Sequence, residues 1–104
     1  MLMPSRTHYV VSYFATLYAG KIVYPISNLS KPFELMSSIE KTGSNLILCT
    51  HEYYEVVKQS CEGKNTDIIL VDAEKMYDSL ANNEFIRKKL KARNKDDVCA
   101  LLNT

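Results

Sequence analysis

A histidine beside a carboxylate can run general acid–base catalysis, and His51-Glu52 supplies that pair. The same two residues also suit a helix start, with Thr50 as cap and Glu52 at the positive end of the helix dipole. The helix-start reading is the better one. His8 has no carboxylate or cysteine at ligand spacing, so it reads as a surface or partly packed histidine and not as a metal ligand. Cys49, Cys61 and Cys99 are odd in number and far apart. They fit neither a disulfide framework nor a zinc spacing. They read as small buried hydrophobes in a reducing compartment. No catalytic residue and no metal site follows from these groups.

Phosphate chemistry needs a glycine-rich loop, and the chain has only Gly20, Gly43 and Gly63. Each follows a helical pattern and precedes an apolar, strand-favouring run, where glycine ends a helix in a left-handed conformation. That leaves none for a dinucleotide fingerprint or a Walker loop. Arg87, Lys88, Lys89, Lys91, Arg93 and Lys95 form a basic run that suggests nucleic acid. Glu84 opens the run, Asp96 and Asp97 close it, and no aromatic residue follows Phe85. A solvated helix face fits better. The helix-spaced tyrosines Tyr9, Tyr13 and Tyr18 read as packing residues with no cofactor role.

The elements that must position these groups alternate. A first helix is expected over residues 6–19, capped by Ser5, with Val10, Phe14 and Leu17 as its apolar stripe and Tyr13 and Tyr18 alongside. A strand follows over 21–26, with Pro25 near its C-terminal end. A second helix is expected over 31–42, capped by Ser30, with Pro32 in its first turn and Phe33, Met36, Ile39 and Leu35 buried. Residues 45–50 form a continuous apolar run, as in a strand covered on both faces of a parallel sheet. A third helix over 52–61 precedes a like strand over 67–71. A polar helical stretch over 74–81 and the charged segment 82–95 lead to a last apolar run, 98–102. Leu2-Met3 is a strand stub at the start. This order argues for an α/β fold: a parallel sheet with helices on both faces. The first four strands are expected in the flavodoxin-like order 2-1-3-4.

Length and composition agree. The 104 residues suffice for one small domain. The net charge of +1 directs the chain to neither nucleic acid nor an anionic membrane. No apolar run approaches the roughly 20 residues of a membrane helix.

One stretch is recognisable. Leu17-Tyr18-Ala19-Gly20-Lys21-Ile22-Val23-Tyr24-Pro25-Ile26-Ser27 resembles a core motif of the adenylate-forming (AMP-binding) superfamily, which includes acyl-CoA synthetases, coumarate–CoA ligases, luciferases and peptide-synthetase adenylation domains. There a helix ending in alanine-glycine leads to a strand ending in proline and an apolar residue, here Ala19, Gly20, Pro25 and Ile26. Met3-Pro4-Ser5 resembles the family's strand end and polar turn, and Phe33-Glu34-Leu35 the start of its next helix. Residues 45–49 stand where the family has a strand. Residues 96–104 resemble the strand that feeds its phosphate-binding loop. Tyr24 and Ser27 fit the acyl-CoA synthetase group better than the peptide-synthetase version.

The resemblance implies a single partial domain over residues 1–104, the flavodoxin- or Rossmann-like half of an N-terminal domain. It implies a fragment of an ATP-dependent acid–CoA ligase, which adenylates a carboxylate and then forms a thioester. Thr104 would be the first residue of the phosphate loop, the one cofactor-binding position carried over. ATP, Mg and CoA belong to the parent enzyme, and the chain alone is expected to be inactive and to bind none of them. Its expected partner is the remainder of that enzyme, and its expected setting is intracellular, in cytoplasm or peroxisome. A stand-alone α/β interaction module, forming homo-oligomers through exposed sheet edges, is the alternative. No nucleic-acid partner and no membrane span is expected.

Overall fold

The computed structural model describes residues 1–72, 75 and 93–102. Its first helix, α1, spans Thr7–Tyr18. The cap is Arg6, in extended conformation and without a side-chain bond, and not the expected Ser5. The Arg6 N–H donates to the Pro4 carbonyl at 2.8 Å. That three-residue turn is centred on Ser5 and moves the helix start past it. The second helix, α2, spans Pro32–Thr42 and is capped at Lys31, where Ser30 was expected. The Glu34 carboxylate accepts the Lys31 N–H at 2.7 Å. A lysine side chain has no acceptor, so only this half of a capping box is formed. Pro32 takes the first helical position as expected.

Gly20, Gly43 and Gly63 have φ of 72°, 62° and 73°, the left-handed region in which a Cβ clashes with the backbone. At Gly43, nothing lies within 4 Å of an added Cβ, so a substitution there meets conformational strain alone. Gly43→Ala is therefore expected to lower the unfolding free energy by about 1 kcal/mol. A urea denaturation series would show this, and an unchanged midpoint would refute it.

Two strands, β1 (Leu46–Cys49) and β2 (Asp67–Leu70), pair in parallel, from Leu46 opposite Asp67 to Cys49 opposite Leu70. A 3-10 turn over His51–Tyr53 and a short helix, α3 (Tyr54–Ser60), link them, where one helix over 52–61 was expected. Single parallel bridges carry the pairing outward, Leu2 to Cys49 and Val23 to Ala100. The Leu2 N–H donates to Leu48 O at 2.8 Å. On the other side of residues 1–3, the Met1 ammonium donates to Tyr24 O at 2.7 Å and the Ile26 N–H donates to Met1 O at 2.9 Å. Main-chain bonds thus run from 99–101 through 22–26 and 1–3 to β1 and β2. The first four strands take the expected order 2-1-3-4.

Pro25 explains where one pairing stops. Val23 exchanges both main-chain bonds with Cys99 and Leu101. The next residue on that side is Pro25, which has no N–H to continue the ladder.

Strand alternation sorts the core into two clusters. Leu2, Ile47 and Cys49 point to one face and pack with Leu35 and Ile39 of α2 and Val57 of α3. Met1, Met3 and Val23 point to the other, where Tyr9, Tyr13 and Leu17 of α1 cover them with Leu48. Helices therefore cover both faces.

The coverage differs from the expected stripes. On α1, Val10 and Phe14 are 54% and 53% exposed, while His8 and Ser12 are buried. The helix turns its small and polar residues inward because Tyr9, Tyr13 and Leu17 flank them and fill the space over Met1 and Met3. On α2, Phe33 is 70% exposed and Leu35 is fully buried. On β2, Ile69 and Leu70 are half exposed, so this strand is not covered on both faces. Among the described residues, no strand pairs with its outer edge. The helical stretch expected over 74–81 and most of the segment 82–95 lie outside the described residues.

Candidate functional site

Parallel sheets present ligand sites beyond the C-terminal ends of their strands. Here that edge carries Pro4-Ser5, Ser27, Thr50-His51 and Asp72. Arg6 and Glu52 span it, 3.6 Å apart, and tie the loop after residues 1–3 to the turn after β1. Both side chains are more than half exposed, so the pair contributes little stability. Glu52 thus faces an arginine, and His51 is exposed on the 3-10 turn. The Ser27 hydroxyl accepts the Leu29 N–H at 3.2 Å, and Asp72 Oδ1 accepts the Lys75 N–H at 3.3 Å. These side chains serve turns.

Two polar atoms at this end of the chain's core were not foreseen. His8 Nε2 and Thr50 Oγ1 are buried and have no hydrogen-bond partner among the described residues. His8 was read as a surface or partly packed residue, yet its ring lies on the inward face of α1. No periodicity signal marks it, because the stronger apolar stripe points outward. Thr50 precedes the 3-10 turn as foreseen, but its hydroxyl makes no cap bond.

The cysteines are not poised for nucleophilic chemistry. Burial pushes the Cys49 thiol up to about 11, with the neighbouring Cys61 thiol adding to the effect. Burial also raises Cys61. A thiol held protonated is a poor nucleophile and ligand. Cys99 is exposed, unlike the buried hydrophobe it was read as. No group of three or more His, Cys, Asp or Glu gathers as a metal site among the described residues. No helix among them is long and apolar enough to cross a membrane.

Arg93 has a structural role. Its guanidinium donates to the Lys21 carbonyl at 3.2 Å and to the Val98 carbonyl at 3.3 Å, with Asp97 4.0 Å away. It ties the turn after Gly20 to the last apolar run. A run of basic residues gave no sign that one member would cross the fold. Arg87 through Lys91 lie outside the described residues, and so does Thr104.

The glycines stand at the opposite edge, each just before a strand, so the carboxyl edge holds no glycine cradle for phosphates among the described residues. The family of the chain is decided by its whole length. A model of the AMP-binding enzyme family matches residues 1–104. The chain belongs to that family. The AMP-binding match accords with the resemblance carried by the Ala19–Ser27 motif. Among solved structures, a Mycobacterium tuberculosis fatty acyl CoA synthetase superposes with a TM-score of 0.75 at 15% identity. The match covers 99% of this chain and 21% of that one. At that identity the likeness concerns the fold. No curated protein matches the chain.

Proposed function

We propose that this chain is the scaffold part of an acid–CoA ligase of the AMP-binding family, a single partial domain inactive by itself. The observation that carries this reading is the match of a whole-chain α/β half-sheet to 21% of an acyl-CoA synthetase structure. In this reading Thr104 begins the phosphate loop. Apart from Thr104, the groups that hold ATP, Mg and CoA would belong to the remainder of the enzyme. The remainder of the enzyme covers Val10, Phe14 and the outer side of β2, and the setting is intracellular. Purified chain with ATP, Mg and a panel of carboxylic acids is expected to release no pyrophosphate above the no-enzyme rate. Sustained, acid-dependent release would sink the proposal of inactivity.

The exposed apolar residues of α1 and β2 favour a second reading, a stand-alone interaction module that self-associates. Sedimentation separates the two. A stable oligomer of defined size supports the module, and concentration-dependent aggregation supports the scaffold.

A further inference from the structure

Residues 98–101 join the sheet with few contacts of their own. Among the described residues, their pairing with residues 22–24 consists of two main-chain bonds, Val23 N–H to Cys99 O at 3.0 Å and Leu101 N–H to Val23 O at 2.9 Å. Val98 and Leu101 are 52% and 41% exposed, and Cys99 is exposed. Ala100 packs against the Met1, Met3 and Val23 cluster. Alanine buries little apolar surface. No strand pairs with the other edge of this run among the described residues.

The pairing stops on both sides. Toward the carboxyl edge, Pro25 has no N–H. Toward the amino edge, the Lys21 N–H donates to Thr16 O at 3.1 Å. In a continuing parallel ladder the Lys21 carbonyl would accept the Cys99 N–H. It accepts the Arg93 guanidinium instead, at 3.2 Å. A second guanidinium nitrogen donates to Val98 O at 3.3 Å. One planar group thus bonds both segments beside their pairing. Asp97 orients it: Asp97 Oδ2 lies 4.0 Å from Arg93 Nε and accepts the Asn94 N–H at 2.9 Å. The Asp97 N–H returns a bond to Asn94 O at 3.1 Å. The turn over residues 94–97 therefore fixes the carboxylate beside the arginine.

We propose that Arg93 and Asp97 form a clasp that holds residues 98–101 in register with residues 22–24, with Arg93 as the positioning residue for that run. Guanidinium-to-carbonyl bonds are charge-assisted, and the planar fork reaches two acceptors at once. A lysine supplies the charge as a point and lacks the fork. With the clasp closed, Ala100 stands opposite Val23. With it open, two main-chain bonds and one alanine remain, and the run opens locally while the rest of the sheet stays folded. On the proposed reading of Thr104, this register sets where the phosphate loop begins. That consequence rests on the ligase reading, whereas the register itself is measured without it.

The test is hydrogen exchange followed by NMR on the full chain, with a urea series alongside. Arg93→Met keeps an apolar stem and loses the donors. In that variant, exchange at the Val23 and Leu101 amides should speed up about tenfold or more, the change expected for one charge-assisted bond. The Leu2 and Val71 amides, bonded to Leu48 O and Cys49 O, should keep their rates, and the urea midpoint should stay in place. Arg93→Lys should behave like Arg93→Met. Asp97→Asn keeps an oxygen for the Asn94 N–H and removes the charge, so it should give a smaller acceleration at the same two amides. It carries the test if Arg93→Met does not fold. Unchanged Val23 and Leu101 rates overturn the proposal. So does equal acceleration at all four amides, which marks a loss of global stability alone. Wild-type rates in Arg93→Lys overturn it too, because they assign the effect to charge without the fork.

Discussion

Leu35→Ala is expected to cost about 2–5 kcal/mol of unfolding free energy, the range for deleting a fully buried leucine. Leu35 has no exposed surface and sits where α2, α3 and β1 meet, against Ile39, Ile47, Val57 and Leu2. Both the transfer energy of the lost carbons and the cavity left behind contribute. A domain of this size has total stability on the order of 5–15 kcal/mol, and small chains fall low in that range. The variant is therefore expected to be largely unfolded at 37 °C, with the loss visible in helix circular dichroism and in urea midpoint. Phe33→Ala, two residues away and 70% exposed, should shift the midpoint by less than about 0.5 kcal/mol. Equal effects of the two substitutions would show that α2 does not dock by the face described.

The second large effect is a pH dependence. Burial lowers the Met1 ammonium from its ordinary 8.0 to about 6. Below pH 6 both folded and unfolded chains hold that proton. Between about 6 and 8 the unfolded chain binds more protons than the folded one, so stability rises with pH. A fall from 8.0 to about 6 corresponds to roughly 2–3 kcal/mol gained across that window. Cys49 acts at the other end, because its thiol is raised from 9.0 to about 11. Above pH 9 the unfolded chain ionises this thiol first, and stability falls. Maximum stability is therefore expected near pH 8–9. Urea midpoints at half-unit steps from pH 5.5 to 10 would trace the curve. Acetylating the Met1 nitrogen keeps an N–H for Tyr24 O and removes the charge, so the acid-side slope should flatten. A slope unchanged by acetylation would rule out Met1 as its source.

How far the sequence carries depends on which signals are local. Glycine at a helix end is a local signal: φ > 0 is open to glycine and costly elsewhere, so Gly20, Gly43 and Gly63 marked three helix-to-strand steps that the structure contains. Pro25 is another, since a missing N–H ends pairing wherever the strand lies. The alternation of apolar runs with helical patterns pointed to the α/β class, and the flavodoxin-like pattern supplied the expected sheet order. The Ala19–Ser27 motif pointed to the family that the whole-chain match shows. Capping was less legible. Ser5 and Ser30 are good caps by type, but a turn at Pro4 and the reach of Glu34 put Arg6 and Lys31 there instead.

Only tertiary structure decided which face of each helix is covered. Val10 and Phe14 are as apolar as Tyr13 and Leu17, and helical spacing puts them on one broad stripe. Which half is buried depends on where residues 1–3 and 22–26 lie beneath α1, and that is a fact about neighbours far along the chain. The same holds for β2, whose apolar run implies cover on both faces, while Ile69 and Leu70, pointing to opposite faces, are both half exposed. The chemistry-bearing residues follow this rule most strictly. Composition could say that His51-Glu52 was a weak catalytic pair. Only the fold could turn Glu52 to Arg6, bury His8 and Thr50 without partners, and send Arg93 across to the turn after Gly20, because each of those outcomes rests on contacts between distant segments.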